Sequence, residues 1–249
     1  MAEEEEQLFY DRIGLANGWD FSSVRSRIEG EERDVYEESA KRCGRSALWL
    51  DIGTGGGERI LPHAEEALLL VGIDRSESMV RTAVDNGRKL AKPNVRFLRM
   101  DARRLDFPDG FFDLVTCRHS AFDANEAARV LRPGGYFLTQ QVGERDKWLL
   151  KQAFGRGQHL DTQAGALLQK YKEELSAAAF RELEILEWDT VEYYESVDDL
   201  SFLLAHTPII PDYGQMEGDA ACLARFVAEH STPQGIRTNA QRFMLIARK

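Results

Sequence analysis

The stretch ALWLDIGTGGG at residues 47–57 decides the fold. Its apolar first part predicts a short buried strand, and a glycine cluster follows at once. Glycine is needed where the backbone takes unusual dihedral angles or approaches a ligand without an intervening Cβ atom. A helix is predicted to open behind these glycines, and its free N–H groups would face an electron-rich ligand. The stretch therefore predicts a strand, a ligand-binding loop and a helix.

The same strand-to-helix pattern repeats along the chain. Further short apolar runs lie at 68–74, 95–98, 112–117 and 136–139, and helical spacing appears at 59–67, 76–90 and 123–131. Short, continuously apolar strands that alternate with helices indicate a parallel sheet covered on both faces. Ser76 is the predicted N-cap of the second of these helices. Farther on, a helix is predicted at 161–179 and strands at 183–194 and within 238–249.

These elements predict one domain over residues 1–249. Its core would comprise 46–194 and 238–249, with an N-terminal cap of one or two helices at 8–45. The stretch 195–237 is too long for a plain connection and mixes apolar with polar residues. We expect it to fold as helices that cover a binding site.

Composition narrows the classes of function. The chain has 32 basic and 42 acidic residues, a formal charge of −10, so a nucleic-acid partner is not expected. A local basic group exists around Arg96, Arg99, Arg103 and Arg104. No apolar run reaches the length of a membrane span, and the acidic start is unlike a secretory signal, which predicts a cytoplasmic protein. The three cysteines are too dispersed for a zinc site, and no metal is expected.

The glycine spacing separates the possible nucleotide-type ligands. The dinucleotide fingerprint needs Gly or Ala at its sixth position, where this chain has Glu58, and the Walker pattern is absent. A pyrophosphate would meet that carboxylate poorly, whereas S-adenosylmethionine carries no phosphate. Asp74 ends the second strand, where a carboxylate can accept bonds from both hydroxyls of a ribose. The missing sixth glycine also counts against an NAD-dependent oxidoreductase.

Over roughly residues 46–142 the chain resembles the class I S-adenosylmethionine-dependent methyltransferases. The matching features are the loop at 51–57, Asp74 with Arg75, Asp101 with Ala102, the FDLV start of strand four at 112–115, and the RPGG turn at 132–135. Each feature alone is weak, and their common register carries the resemblance.

The resemblance implies a Rossmann-like αβα sandwich. Its sheet would have seven mostly parallel strands, with strand seven antiparallel beside strand six. S-adenosyl-L-methionine would be the cofactor. The residues implied to bind it are Asp51, Gly53, Thr54, Gly55, Gly57, Asp74, Arg75, Met79, Asp101, Ala102 and Arg118. Two alternatives stay open at this point: Asp74 as a helix N-cap, and Asp101 as a cap of the segment 102–105.

The family places the reactive methyl group near the segment after strand four, here 117–122. His119 is the candidate general base because its ordinary pKa lies near neutrality, and a purely local packing role is an equal alternative. Gln141, Glu144 and His206 are candidates to line the acceptor pocket. Tyr10 and Trp19 are candidates to close over the methionine end of the cofactor.

The expected acceptor is a small molecule. The Asn/Asp-Pro-Pro-Tyr/Phe motif of DNA adenine methyltransferases is absent, and Cys117 lacks the Pro-Cys context of the cytosine enzymes. An RNA methyltransferase and a non-catalytic S-adenosylmethionine-binding protein are the alternatives. The sequence leaves the oligomeric state and the methylated atom open.

Overall fold

The computed structural model describes residues 21, 23–178 and 180–249. Tyr10, Trp19 and the first part of the predicted cap lie outside the described residues. Within these ranges one sheet contains nine strands. They are β1 (Ser26–Glu29), β2 (Leu48–Ile52), β3 (Leu69–Asp74), β4 (Val95–Arg99), β5 (Phe112–Arg118), β6 (Leu131–Val142), β7 (Glu182–Tyr194), β8 (Ser231–Thr232) and β9 (Gly235–Arg248).

The strand order is β1-β7-β9-β6-β5-β2-β3-β4, and β8 pairs with β9. Strands β2 to β6 pair in parallel, whereas β9 runs antiparallel to both β6 and β7. This arrangement confirms the Rossmann-like α/β fold with an antiparallel last strand. The strand order reverses at β2, which lies between β5 and β3. The carboxyl ends of these three parallel strands therefore lie at the same edge of the sheet, where ligands bind in such folds.

The N-terminal segment differs from the prediction. Ser26–Glu29, which the sequence placed among helices, pairs antiparallel with β7 from Glu29↔Val191 to Ser26↔Tyr194. It caps the outer edge of β7, whose unpaired N–H and C=O groups would otherwise stay open. With β8, this strand brings the sheet beyond the seven strands expected.

The helices are α1 (Val35–Ala40), a 3₁₀ helix (Leu61–Glu66), α2 (Glu77–Lys89), α3 (Ala124–Val130), α4 (Trp148–Phe154), α5 (Ala166–Ala177), α6 (Val197–His206) and α7 (Asp219–His230). Ser76 is the N-cap of α2, as predicted. The glycine loop leads into the 3₁₀ helix rather than a full α-helix; this helix carries Pro62 in its first turn and has no side-chain cap. Helix α5 starts later than predicted, after Gly165 at φ 81°.

The insertion folds as the sequence predicts, because α6 and α7 occupy most of it. They pack with α4 around a buried apolar cluster beside the end of β7. Its buried members are Leu150, Tyr194, Leu200, Leu204, Ile210, Leu223, Phe226 and Ile236. Strand β9 begins at Gly235, so the insertion ends slightly earlier than expected.

Two further cores lie on the two faces of the sheet, in keeping with a sandwich. Leu50, Val115 and Phe137 point to the face covered by α3 and α5. Trp49 and Leu138 point to the opposite face, with α1 and the 3₁₀ helix. Alternation along buried strands produces this division, and each buried large apolar side chain contributes about 1.5–3 kcal/mol. Among the described helices, none has the length and apolar character needed to cross a membrane.

Candidate active site

The glycine loop is held against the end of β3. The backbone N–H groups of Gly53 and Thr54 both donate to the carbonyl of Ile73, at 2.9 and 3.0 Å. Gly53, Gly55 and Gly57 all have positive φ, at 71°, 56° and 78°. A Cβ atom on Gly53 would overlap the Ser120 side chain, and one on Gly57 would lie 2.8 Å from Cζ of Phe97. Backbone conformation and packing both require glycine in this loop.

Asp74 fastens the loop to the start of α2. Its Oδ2 accepts from the N–H of Gly55 at 3.0 Å, and its Oδ1 accepts from the N–H of Ser76 at 2.9 Å. Burial raises the pKa of this half-buried carboxyl, while the two backbone donors lower it. The helix N-cap itself is Ser76, whose hydroxyl accepts from the N–H of Met79. Asp74 thus supports the loop and keeps lone pairs for a further donor.

Asp101 lies at the same edge as Asp74. The N–H of Met100 donates to the carbonyl of Asp74 at 2.9 Å, and this bond places Asp101, the residue after Met100, near Asp74. The Asp101 carboxylate accepts from Arg103, at 2.9 Å from the backbone N–H and 2.8 Å from Nη2. The side-chain bond with Arg103 is the main cause that lowers the pKa of Asp101. The structure therefore shows the capping alternative, and an adenine contact stays a proposal.

The remaining residues of this edge flank the loop. The carbonyl of Arg75 accepts from Nε of Arg99 at 3.1 Å. Ala102 is half-buried and packs against the core under α3 and α5, whereas Met79 is buried on α2. Thr54 is buried within the loop.

Asp51 lies behind the loop rather than on its open side. The carboxyl is fully buried and accepts from the hydroxyl of Thr116 at 2.7 Å and from the hydroxyl of Tyr36 at 3.3 Å. Burial raises its pKa to about 7, against the opposing effect of these hydroxyl donors. Asp51 can therefore support the loop from below. Tyr36, on α1, was missed by sequence reasoning because no motif links it to this carboxyl.

His119 follows β5 with φ 52°, a left-handed conformation that a non-glycine residue seldom adopts. Its backbone N–H donates to the carbonyl of Gln140 at 2.9 Å. Burial, reinforced by the charges of Arg118, Arg242 and Arg59, holds the pKa of His119 well below its usual range. The Nε2 atom is shielded from solvent and has no hydrogen-bond partner among the described residues. A neutral imidazole is thus fixed at the edge of the site.

Gln141 positions the same loop. Its Nε2 donates to the carbonyl of Ser120 at 2.9 Å and to the hydroxyl of Thr139 at 2.8 Å. The side chain is buried, so it braces the segment after β5. Since Ser120 lies against Gly53, Gln141 also fixes the distance between the two loops.

Glu144 and His206 are engaged elsewhere. Both carboxylate oxygens of Glu144 cap the start of α5, accepting from the N–H groups of Gly165 at 3.2 Å and Leu167 at 2.6 Å. The Nδ1 atom of His206 lies 2.8 Å from the carbonyl of Phe202, and its ring stacks on that phenyl group at 4.0 Å. A hollow of about 210 Å³ lies beyond β6, lined in part by Glu144, Trp188 and Arg242. These contacts give both residues structural roles in the fold, and a contact of either one with an acceptor stays a prediction.

The comparisons with known proteins match the region of the chain that contains the glycine loop, Asp74 and Asp101. Residues 50–135 match the model of a methyltransferase domain. The uncharacterized methyltransferase YcgJ of Bacillus subtilis is 34% identical over 44% of this chain and 46% of its own length. The demethylmenaquinone methyltransferase of Lactococcus lactis is 29% identical over 61% of this chain and 64% of its own length. The matched region therefore spans less than two thirds of either relative.

Solved structures extend the likeness over most of the chain. The YcgJ crystal structure gives a TM-score of 0.58 at 20% identity, covering 86% of this chain and 97% of that one. The [4+2]-cyclase SpnF gives a TM-score of 0.61 at 23% identity, covering 97% and 94%. At such identities the likeness shows the fold alone. The match over residues 50–135, together with the glycine loop, Asp74 and Asp101 at one edge of the sheet, supports a class I S-adenosylmethionine-dependent methyltransferase domain in this part of the chain.

Proposed function

We propose that this chain transfers the methyl group of S-adenosylmethionine to a small-molecule acceptor. The observation that carries the proposal is the bond from Gly55 to Asp74, which fixes a carboxylate beside a loop with no Cβ atom in the way. This cradle suits an adenosyl group, because the carboxylate can accept from ribose hydroxyls while the glycines permit close approach. Glu58 directly after the loop disfavours a phosphate-bearing ligand there.

Within this proposal each residue has a defined task. The loop at 53–57 would hold the amino-acid part of the cofactor, Asp74 its ribose, and Asp101 with Ala102 and Met79 its adenine. Asp51 and Tyr36 would support the loop from behind. When bound, the cofactor supplies an activated methyl group, so alignment of the acceptor provides much of the rate enhancement. His119 would take a proton from an oxygen or nitrogen acceptor through Nε2, which has no partner among the described residues. The lowered pKa keeps this nitrogen unprotonated and also makes it a weaker base than an ordinary histidine.

Charge favours a small acceptor over RNA. Two arginines of the basic group near β4 are paired with acids: Arg99 with Glu77 at 3.5 Å and Arg103 with Asp101 at 2.8 Å. These two ion pairs and the chain's net charge of −10 both disfavour the binding of an extended RNA backbone near β4. The name of the Lactococcus relative, a demethylmenaquinone methyltransferase, also supports a small acceptor.

Two other functions have support of their own. The SpnF structure carries the name of a cyclase on the same fold, and fold alone does not fix the reaction. A non-catalytic protein that binds S-adenosylmethionine is compatible with the same cradle. Neither alternative would leave a methylated product.

The test is a transfer screen with S-adenosylmethionine labelled in its methyl group. Metabolite extract and total RNA form parallel arms, and Asp74→Ala serves as the inactive control. Label in a small molecule with the wild-type protein alone supports the proposal. Label in RNA would redirect it to the alternative acceptor. Cofactor binding by calorimetry without label in either arm would favour the non-catalytic or cyclase function.

A further inference from the structure

Arg118 is the last residue of β5 and has an unusual environment. Its Nε atom is shielded from solvent and has no hydrogen-bond partner among the described residues. Nε2 of the next residue, His119, is in the same condition. Buried polar atoms in native proteins nearly always have partners, so two adjacent exceptions point to an absent ligand.

Arg118 also differs from its cationic neighbours, each of which forms an ion pair with an acid. Arg59 forms an ion pair with Asp34 at 2.7 Å, and Arg242 forms one with Asp146 at 2.5 Å. Across the described ranges, no acid lies within ion-pair distance of the Arg118 guanidinium. Burial is the main cause that lowers its pKa; the charges of Arg59 and Arg242 lower it further, whereas Tyr36 and Asp34 raise it. A guanidinium whose Nε is shielded and that has no ion-pair partner gains from the binding of an anion.

The sheet register shows where this guanidinium lies. Arg118 is paired with Gln140 of β6, and Gln140 with Met244 of β9, so the three share one face. Arg242, two residues from Met244 along β9, is on that face as well. The start of α1 covers it, because the N–H of Val35 donates to Oε1 of Gln140 at 3.0 Å. Arg118 on β5 and Arg242 on β9 therefore place two guanidinium groups on this face, of which Arg242 is already paired with Asp146.

From Arg118 on β5, Arg242 lies on the side that is opposite to the cofactor loop. The glycine loop follows β2, which neighbours β5 on the other side. Arg118 thus stands between the proposed cofactor site and the paired Arg242. Glu32 lies near these arginines. Burial is the main cause that raises its pKa, and the charges of Arg242, Arg118 and Arg59 lower it. Arg118 would therefore bind an organic anion through its carboxylate or phosphate group.

We infer that the side chain of Arg118 binds a two-oxygen anionic group, a carboxylate or a phosphate monoester, on the methyl acceptor. This inference rests on the proposed function and adds to it the chemical class of the acceptor. A guanidinium donates two parallel hydrogen bonds to such a group, which fixes orientation as well as position. Arg118 would bind the acceptor at its anionic group. The nucleophilic atom, at the other end of the acceptor, would then face the loop after β5.

The test follows the Nε–H resonance of Arg118 in protein labelled with ¹⁵N-arginine and saturated with S-adenosylhomocysteine. The probes are benzoate and phenyl phosphate, with benzamide as the neutral match. Arg118→Lys keeps the charge but loses the paired donors, and Arg118→Gln loses both. Arg96→Gln, on exposed β4, is the control variant. The expected result in the wild type is a shift of this resonance with one or both anions and not with benzamide. In both Arg118 variants, which lack the resonance, calorimetry should show at least tenfold weaker anion binding than in the wild type.

A second arm asks whether the cofactor itself supplies the carboxylate. Affinities for S-adenosylhomocysteine and for methylthioadenosine, which lacks the carboxylate, are compared in the wild type and Arg118→Gln. Arg118→Gln keeps the backbone of this residue, the part through which the family resemblance implies a cofactor contact, so the inference requires both affinities to stay within about twofold of the wild type. A tenfold loss for S-adenosylhomocysteine alone would assign Arg118 to the cofactor and overturn it. No response to either anion in the saturated protein would also overturn it, while leaving the proposed function intact. Failure of wild-type protein to bind S-adenosylhomocysteine would instead overturn the proposed function.

Discussion

The carboxylate of Asp74 and the backbone of Gly55 are joined by a hydrogen bond of 3.0 Å, which links the end of β3 to the glycine loop after β2. The bond couples two separate functions in one residue. The same carboxylate that shapes the loop is the one positioned to accept from a ribose. Loss of the side chain therefore removes both the ligand contact and the support of the loop.

We predict that Asp74→Ala lowers the affinity for S-adenosylhomocysteine by at least about 100-fold, because two hydrogen bonds to a charged group contribute about 1.5–3 kcal/mol each. Calorimetry measures the affinity, and near-ultraviolet circular dichroism checks that the variant is folded. The matched control is Asp85→Ala on α2, an exposed acid paired with Arg88. Its affinity should stay within about twofold of the wild type. Unchanged binding in folded Asp74→Ala would remove this residue from the site.

The loop itself is tested by Gly55→Val. Gly55 has φ 56°, which a β-branched residue adopts only with strain, costing about 1–3 kcal/mol. We expect at least tenfold weaker cofactor binding and a lower unfolding midpoint in urea. Gly44→Val is the control, because a Cβ atom there meets nothing within 4 Å. Equal affinities in the two variants would contradict a ligand-binding role for the loop.

Local sequence patterns predict the structure correctly where a single segment determines its own conformation. The glycines at 53, 55 and 57 and the strand-ending Asp74 are readable from sequence because positive φ and strand ends have local signals. The strand Ser26–Glu29 is not, since it forms only because the edge of β7 is available far along the chain. The same applies to Tyr36 with Asp51, and to Glu144, whose capping of α5 depends on how distant segments meet.

His119→Asn tests the proposed base. Asparagine tolerates the left-handed backbone of this position, so the change removes mainly the imidazole. With a proton-bearing acceptor we expect kcat to fall about 10²–10⁴-fold, the usual contribution of a positioned base, and cofactor affinity to stay near that of the wild type. His230→Asn is the control, because that ring bonds the carbonyl of Phe226 within its own helix. Full activity in His119→Asn would leave His119 with a packing role only.

The buried ion pair of Lys147 and Glu192 gives a stability prediction. Lys147 is almost wholly buried, and its Nζ donates to Glu192 and to the carbonyl of Asn239. Lys147→Met should lower the free energy of unfolding by about 3–5 kcal/mol, because it leaves a buried carboxylate unpaired. The double variant Lys147→Met/Glu192→Leu should recover most of that loss. Arg88→Met, which breaks an exposed pair, should cost less than about 1 kcal/mol. Urea unfolding of the wild type and these three variants measures the differences. A double variant as unstable as Lys147→Met would contradict the pairing.

The raised pKa of Asp51 predicts how stability changes with pH. In the folded chain burial raises this pKa to about 7, whereas an unfolded aspartate titrates near 4. The folded state thus binds more protons between these values, and the contribution of Asp51 to stability is lost as pH rises from about 4 through 7. In Asp51→Asn this loss is absent. Between pH 5 and pH 8 the wild type should lose about 2–3 kcal/mol of unfolding free energy relative to Asp51→Asn, as each pKa unit corresponds to about 1.4 kcal/mol. Urea unfolding of both proteins at the two pH values measures the difference. Because every other titrating group is common to both proteins, a constant difference would show that Asp51 is already ionised in the folded state at pH 5.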